Sequence, residues 1–463
     1  MSGTLTEQLA GYWSSARYAD LPPGAVALAK RFLIDTLAAG IAGARTDVVE
    51  ATLRAARAAS ENAPGSAAIW GRTDSTTPPL AAMVNGTSAH AQELDDFGGC
   101  GHSGAVVVPA LFALAGKGGV SGRDAIVAML AGYDLAARTL EGAGGYRPHN
   151  DLGWHSTGTC GSFGAAAAAA RLLKLDAGRF ADALGIAGSF TGGIWAFLAD
   201  GADTKRFHPG KAAENGLTAA LLAQAGMSGP RQVLEAKWGG FYSSFSHGIA
   251  KPELTLAGLG TEFRIDRSGM KPYACCRGLH ACMDAILAVL AETGATAADI
   301  DALVVHGNAQ YKLQFDRLEI LNMLDAQFSI QYGLAVAALS GRGTLDQFAT
   351  LRHREPAVRA LMEKVTVLAD RAIVPGQYPP LEVRLKDGRV TERFIPFAKG
   401  APELPLTDSE LAAKVDSLIA PALGAARCRE IVDCVASLET LPDLKTLIRL
   451  MTPDRVTASV AAA

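Results

Sequence analysis

Residues 164–170 read GAAAAAA, and this run of small side chains constrains the fold more than any other stretch. Such a segment carries no strand pattern and no bulk to fill a loose core. It reads as a helix whose neighbours approach closely. Arg171 and Lys174 follow it, and nowhere does an uninterrupted apolar run reach the roughly 20 residues of a membrane span. Similar helices are predicted over 24–43 (after Pro22-Pro23), 121–140 (opened by the Ser121/Asp124 cap), 165–173, 180–187 and 211–225. Together they predict a helical bundle with a small-residue core.

The pattern changes near Gly260. Residues 301–306 (DALVVH) read as a short buried strand, and 381–394 (LEVRLKDGRVTERF) as a hairpin around Asp387-Gly388, because Asp-Gly supplies the positive φ a tight turn needs. Helices are expected between them at 279–291 and 328–339. After Gly400, Thr407 and Glu410 form a capping box before another helix. The expected fold is mainly α. Residues 1–266 and 401–463 would form a large helical domain, and 267–400 a smaller inserted α+β lid, with the ligand in the cleft between them. The last residues, 458–463, are expected to fray.

The 463 residues are too many for one ordinary core, and 49% hydrophobic with 19% charged residues fits a folded globular chain. A formal net charge of −3 without a basic run makes nucleic acid or an anionic membrane a poor partner. The first 21 residues lack a signal-peptide pattern. The seven irregularly spaced cysteines, with no CxxC pair, point to reduced thiols in the cytoplasm rather than to disulfides or structural zinc.

Five polar clusters interrupt this apolar background. The first, HAQELDDFGGCGH at 90–102, packs Glu93, Asp95 and Asp96 between two histidines. It ends in glycines that open a helix, where free N–H groups favour anions. His102 there is a candidate acid, base or carboxylate donor, and the competing reading is a solvated acidic loop. The second, GWHSTGTCG at 153–161, repeats that geometry with His155; a plain N-cap by Ser156 or Thr157 is the alternative. The third, DGADTKRFHPGK at 200–211, places Lys205, Arg206, His208 and Lys211 before a helix, as a carboxylate site or as surface charge. The fourth, KPYACCRGLH at 271–280, offers Lys271 and Arg277 as a second carboxylate clamp. The fifth, DAQFSIQY at 325–332, places Tyr332 at a helix start, as a phenolic acid or a core tyrosine.

Several chemistries find no support. HExxH is absent, and Cys275, Cys276 and Cys282 do not have iron–sulfur spacing, so no metal is expected. A GxGxxG match at 99–104 follows an acidic loop rather than a strand, and no GxxxxGK[ST] or GxSxG occurs. Nothing near Cys160 marks a lowered thiol pKa.

In this order, HAQELDDFGGCGHSGAVVVPALFALA, GWHSTGTCGSFGAAAAAARLLKL, DTKRFHPGKAAENGLTAALLA, KPYACCRGLHACMDA and AQFSIQYGLAVAAL resemble the MmgE/PrpD family over essentially the whole chain. That family includes 2-methylcitrate dehydratase, cis-aconitate decarboxylase and iminodisuccinate epimerase. The resemblance implies a helical domain with an α+β lid, a homodimer, and no metal or organic cofactor. It implies catalytic residues at Glu93, Asp95, His102, His155, Lys205, Lys271 and Tyr332, with substrate held by Lys205, Lys271, Arg277 and Ser103. In these roles the lysines and Arg277 bind carboxylates, His102 and His155 shuttle protons, and Tyr332 is a second acid. Glu93 or Asp95 orients a histidine or abstracts the proton. The family motif that often reads Asp-Phe-Asp-Asp reads Glu93-Leu94-Asp95-Asp96 here, so the first acid is one methylene longer. The implied activity is a 2-methylcitrate dehydratase-like lyase acting on a small polycarboxylate. Decarboxylation, epimerisation and non-catalytic carboxylate binding are the alternatives.

Overall fold

The computed structural model describes residues 3–374 and 376–454. The chain is mainly α. The small-residue run lies in the helix Gly161–Leu172, which packs on Gly122–Gly142 and on Thr204–Gln224. Ala165 to Ala170 are all wholly buried. The crossing of the first pair is set by glycine: a Cβ on Gly132 would meet the Gly164 carbonyl oxygen at 3.0 Å, and one on Gly164 would meet that of Gly132 at 2.7 Å. Backbones this close leave no room for a larger residue.

The expected helices form as Pro23–Gly43, Gly122–Gly142, Gly161–Leu172 and Ala177–Ala187. Ser121 caps the second of these, its hydroxyl accepting from the Asp124 N–H at 3.1 Å. The third cluster departs from expectation. Lys205 to Lys211 do not precede a helix but form the opening of Thr204–Gln224, with Pro209 inside it. Pro209 cannot donate to the carbonyl four residues back, which is why the residues before it read as loop.

Four strands form the larger sheet, in the order Val365–Leu368, Ile300–His306, Leu381–Leu385, Val390–Arg393. The hairpin pairs Leu381 with Arg393 and Arg384 with Val390, with Gly388 at φ +89°. Val365–Leu368 adds in parallel to Ile300–His306; at four residues it is too short for alternation to be read from sequence. The helices His280–Thr293 and Ile330–Ser340 pack on each other within this part. Beyond it, Asp408–Leu423 opens with the Thr407/Glu410 capping box and lies against Pro23–Gly43, while Lys414 Nζ bonds the Leu94 carbonyl at 2.7 Å. The fraying expected at 458–463 lies outside the described residues. No described helix is long and apolar enough to cross a membrane.

A two-residue ladder positions the site. Phe97–Gly98 pairs antiparallel with Ser268–Gly269, which ties the acidic loop of the first cluster to the backbone that immediately precedes Lys271.

Candidate active site

The helices Pro78–His90 and Gly104–Ala115 are joined by the acidic loop, and Glu93 lies within it at φ +56°. That left-handed conformation is costly for a residue with a Cβ and is held here by what the side chain does. Its carboxylate accepts from Lys205 Nζ on one oxygen and from Lys271 Nζ at 2.9 Å on the other. All three residues are buried, at 1%, 2% and 1% exposure for Glu93, Lys205 and Lys271. Burial alone would raise the Glu93 carboxyl, but Lys205 and Lys271 outweigh it and hold it well below its ordinary range. Burial pulls Lys271 down, and Glu93 and Asp95 more than reverse that, so it stays firmly protonated. Lys205 ends below its ordinary value, through burial and the neighbouring Lys271.

Asp95 bridges two imidazoles. His90 Nδ1 lies 3.0 Å from one carboxylate oxygen and His102 Nδ1 3.0 Å from the other. Lys205 Nζ donates to His90 Nε2 at 2.8 Å, so His90 carries its proton on Nδ1. Burial drives His90 down to about 3, leaving it neutral. His102 Nδ1 also donates to the Asp96 carbonyl oxygen at 2.8 Å, so in the neutral ring Nε2 carries the lone pair, the form of a base. His155 Nδ1 faces His208 Nδ1 at 2.9 Å, and the His102 and His155 rings are 6.3 Å apart. Among the described residues, no protein group bonds Nε2 of His102 or of His155.

The glycine-opened helix was expected to attract an anion, and the group it holds instead is an internal carboxyl. The Gly104 N–H donates to both oxygens of Asp96 at 3.0 Å. Burial, with Asp95 adding to it, raises the Asp96 carboxyl to about 8.

Six expected residues therefore meet: Glu93, Asp95, His102, His155, Lys205 and Lys271. Three do not join them. Tyr332 donates its hydroxyl proton to the Gln347 carbonyl, accepts from the Arg352 N–H at 3.1 Å and packs edge-on against Phe348. Arg277 spends its terminal nitrogens on the Ala398 and Lys399 carbonyls, both at 2.7 Å, and lies 4.1 Å over the Phe97 ring. The flat fork of its donors fits that pair of carbonyls. The Ser103 hydroxyl accepts from the Cys100 N–H at 3.3 Å.

His90 and Cys276 lie at the site although the sequence marks neither as a site group, and His208 joins it from the third cluster. His90 was visible only as the flank of a motif, and His208 as one member of a run that reads as a carboxylate site or as surface charge. The Cys276 thiol is raised by burial and Glu93, and the two lysines oppose the rise. The Tyr146–Asp151 helix is pinned to the second cluster by His149 Nε2 and the Thr159 hydroxyl at 2.8 Å. A surface cleft lined by Arg231, Trp238 and Phe245 shares no residue with this cluster.

His90, Asp95 and His102 have ligand atoms within 4.8 Å of one another, as a metal triad would. The donor set fits a metal poorly, because Lys205 occupies His90 Nε2 and both Nδ1 atoms face Asp95. A cation among them would adjoin an ammonium group.

Comparison with known proteins fixes the family. The sequence profile of the MmgE/PrpD N-terminal domain matches residues 7–253, and that of the MmgE/PrpD C-terminal domain matches 273–440. This chain belongs to the MmgE/PrpD family. Among its relatives in that family, a cis-aconitate decarboxylase-like protein, oryM, of Aspergillus oryzae is 31% identical over 97% of each chain. The cis-aconitate decarboxylase of Homo sapiens is 30% identical, covering 100% of this chain and 98% of its own. The 2-methylcitrate dehydratase of Cupriavidus necator is 28% identical over 41% of this chain and 42% of its own. The MmgE/PrpD relatives named here thus include both decarboxylases and a dehydratase.

Proposed function

We propose that this MmgE/PrpD protein is a lyase for a small di- or tricarboxylate, working by proton transfer beside a carboxylate. The observation that carries this is the buried pair Lys205 and Lys271, held on Glu93, next to two histidines with unbonded Nε2 atoms. The ammonium groups supply the positive charge that a substrate carboxylate needs as its neighbouring carbon becomes carbanion-like. They do this without a metal or an organic cofactor. His102, with a lone pair on Nε2, is the base or the proton carrier, and His155 is the second proton-transfer group. Residues 267–400 act as the lid that excludes water, and the chain works as a cytoplasmic homodimer.

Two reactions fit these groups. In decarboxylation of a cis-aconitate-like acid, the C–C bond to one carboxylate breaks and CO2 leaves. The electron pair spreads toward the conjugated carboxylate, and a histidine returns one proton to carbon. This reading takes support from the full-length similarity to cis-aconitate decarboxylases. In dehydration of a 2-methylcitrate-like acid, His102 removes the proton beside the carboxylate. The leaving hydroxyl takes a proton from His155 and departs as water. The similarity to a 2-methylcitrate dehydratase covers less than half of the chain, so decarboxylation ranks first.

Proton NMR in D2O of the chelator-treated protein, with cis-aconitate, 2-methylcitrate, citrate and iminodisuccinate-type diacids in parallel, tests the reading. An itaconate-like product marks decarboxylation, a new alkene from the hydroxy acid marks dehydration, and deuterium wash-in without net change marks epimerisation. Unreduced turnover in His102→Ala, or loss of turnover on chelation, would defeat the mechanism.

A further inference from the structure

The two histidines that reach the site hold different partners. His102 Nδ1 faces oxygen acceptors only, Asp95 and the Asp96 carbonyl, so its tautomer is settled. His155 Nδ1 faces another imidazole, His208 Nδ1 at 2.9 Å, where one nitrogen must donate and the other accept. Burial lowers both rings, His208 to about 4 and His155 well below its ordinary value, so the contact joins two neutral imidazoles. Which ring donates decides what His155 presents. If His208 donates, the His155 proton sits on Nε2 and points inward as an N–H. If His155 donates, its Nε2 is a lone pair, like that of His102.

We propose that His208 is a positioning residue that donates its Nδ1–H to His155 Nδ1, so that His155 presents an Nε2–H and serves as the acid opposite the base His102. The surroundings favour this assignment. A site built on Lys205 and Lys271 receives carboxylate oxygens, which an N–H complements and a lone pair repels. The ring of His155 is walled edge-on by Trp195 at 5.3 Å and Phe197 at 5.9 Å, so it keeps its orientation while its proton is placed. Lys205 and His208 lie one helical turn apart on Thr204–Gln224. One helix therefore supplies both the carboxylate-binding ammonium and the group that sets the acid. In a dehydration, the His155 proton goes to the leaving hydroxyl; in a decarboxylation, it goes to the carbon that has lost CO2. Either way His155 is left as an imidazolate, stabilised by the His208 Nδ1–H and the nearby Lys205 ammonium, and regains its proton from water before the next turnover.

The inference rests on the proton-transfer reading above, so its test needs a readout that does not depend on turnover. Long-range 1H–15N spectra of 15N-histidine-labelled protein, with the His155 signals assigned through His155→Gln, report which nitrogen carries the proton. We expect a protonated Nε2 in the unaltered protein, and loss of that preference in His208→Phe. A proton on Nδ1, or an Nε2–H that persists in His208→Phe, overturns the proposal whether or not any acid is turned over. On the acid identified as substrate, His208→Phe should lower kcat about 10²-fold with KM nearly unchanged. His208→Gln, whose amide N–H can still donate, should recover most of that loss. Equal loss in both variants would also overturn it. If no acid is turned over, the functional reading fails and the spectra still judge the tautomer.

Discussion

Glu93 Oε2 and Lys271 Nζ lie 2.9 Å apart, joining the acidic loop to a segment 178 residues later in the chain. The same carboxylate holds Lys205, so one anion balances two buried cations. Removing it should be expensive, because breaking a buried ion pair from one side costs about 3–5 kcal/mol. Glu93→Gln is expected to lower stability by that order in urea titration. It should also make the protein more responsive to polyanions. Citrate in millimolar excess should raise Tm more in Glu93→Gln than in the unaltered protein, since two ammonium groups are then unneutralised. An equal or smaller shift would show that Glu93 does not stand where substrate carboxylates are held.

Asp96 predicts an alkaline limit to stability. Its carboxyl is raised to about 8 from 3.8, so the folded chain keeps a proton that the unfolded chain loses. That contribution is full below the unfolded value and is lost as pH rises through about 8. On the acid side, His90 and His149, lowered to about 3 and about 4, make stability fall as pH drops below their ordinary 6.5. Tm should therefore decline from about pH 6.5 to about pH 8 in the unaltered protein, and Asp96→Asn should flatten that decline. An undiminished slope in the variant would place the alkaline sensitivity elsewhere.

Tyr332 separates a structural role from a chemical one. Its hydroxyl links the Gln347 carbonyl and the Arg352 N–H, both in the segment that follows its own helix. Tyr332→Phe is expected to cost about 1–3 kcal/mol, because it leaves buried polar groups unpaired. Once folded, the variant should keep kcat within a few-fold. A loss of about 10²-fold in kcat at unchanged stability would instead make Tyr332 an acid in the reaction.

These positions show how far local sequence carries. The helices were legible because apolar spacing and caps such as Ser121/Asp124 are short-range signals. The chemistry of Glu93, His102, Lys205 and Lys271 was legible through family motifs, while the pairings of Glu93 with the two lysines span over 100 residues. Arg277 and Tyr332 misled for a related reason. Both look like unpaired polar groups in their own segments. Their partners, Ala398, Lys399, Gln347 and Arg352, come later in the chain and are backbone groups that carry no signature. His90 closes an apolar helix, and only its meeting with Lys205 and Asp95 gives it meaning.

Gly86 and Gly210 set the distance between the helices that carry His90 and Lys205. A Cβ on Gly86 would meet the Gly210 Cα at 2.7 Å and the Ala105 carbonyl oxygen at 2.8 Å. One on Gly210 would strike the Met83 carbonyl. These are backbone atoms and cannot rotate away, so Gly210→Ala must push Thr204–Gln224 off Pro78–His90. Overpacking of this kind costs about 1–3 kcal/mol, which urea unfolding would register. The shift also reaches the site, because Lys205 lies five residues before Gly210 on the same helix and bonds His90 Nε2 at 2.8 Å. Gly210→Ala should therefore lose activity in protein that is still folded, at a temperature well below its Tm. A surface control of equal helical propensity, Lys211→Ala, points away from that crossing and should leave both stability and rate nearly unchanged. If Gly210→Ala unfolds more readily yet turns over substrate at the full rate, the spacing of these two helices does not govern the chemistry.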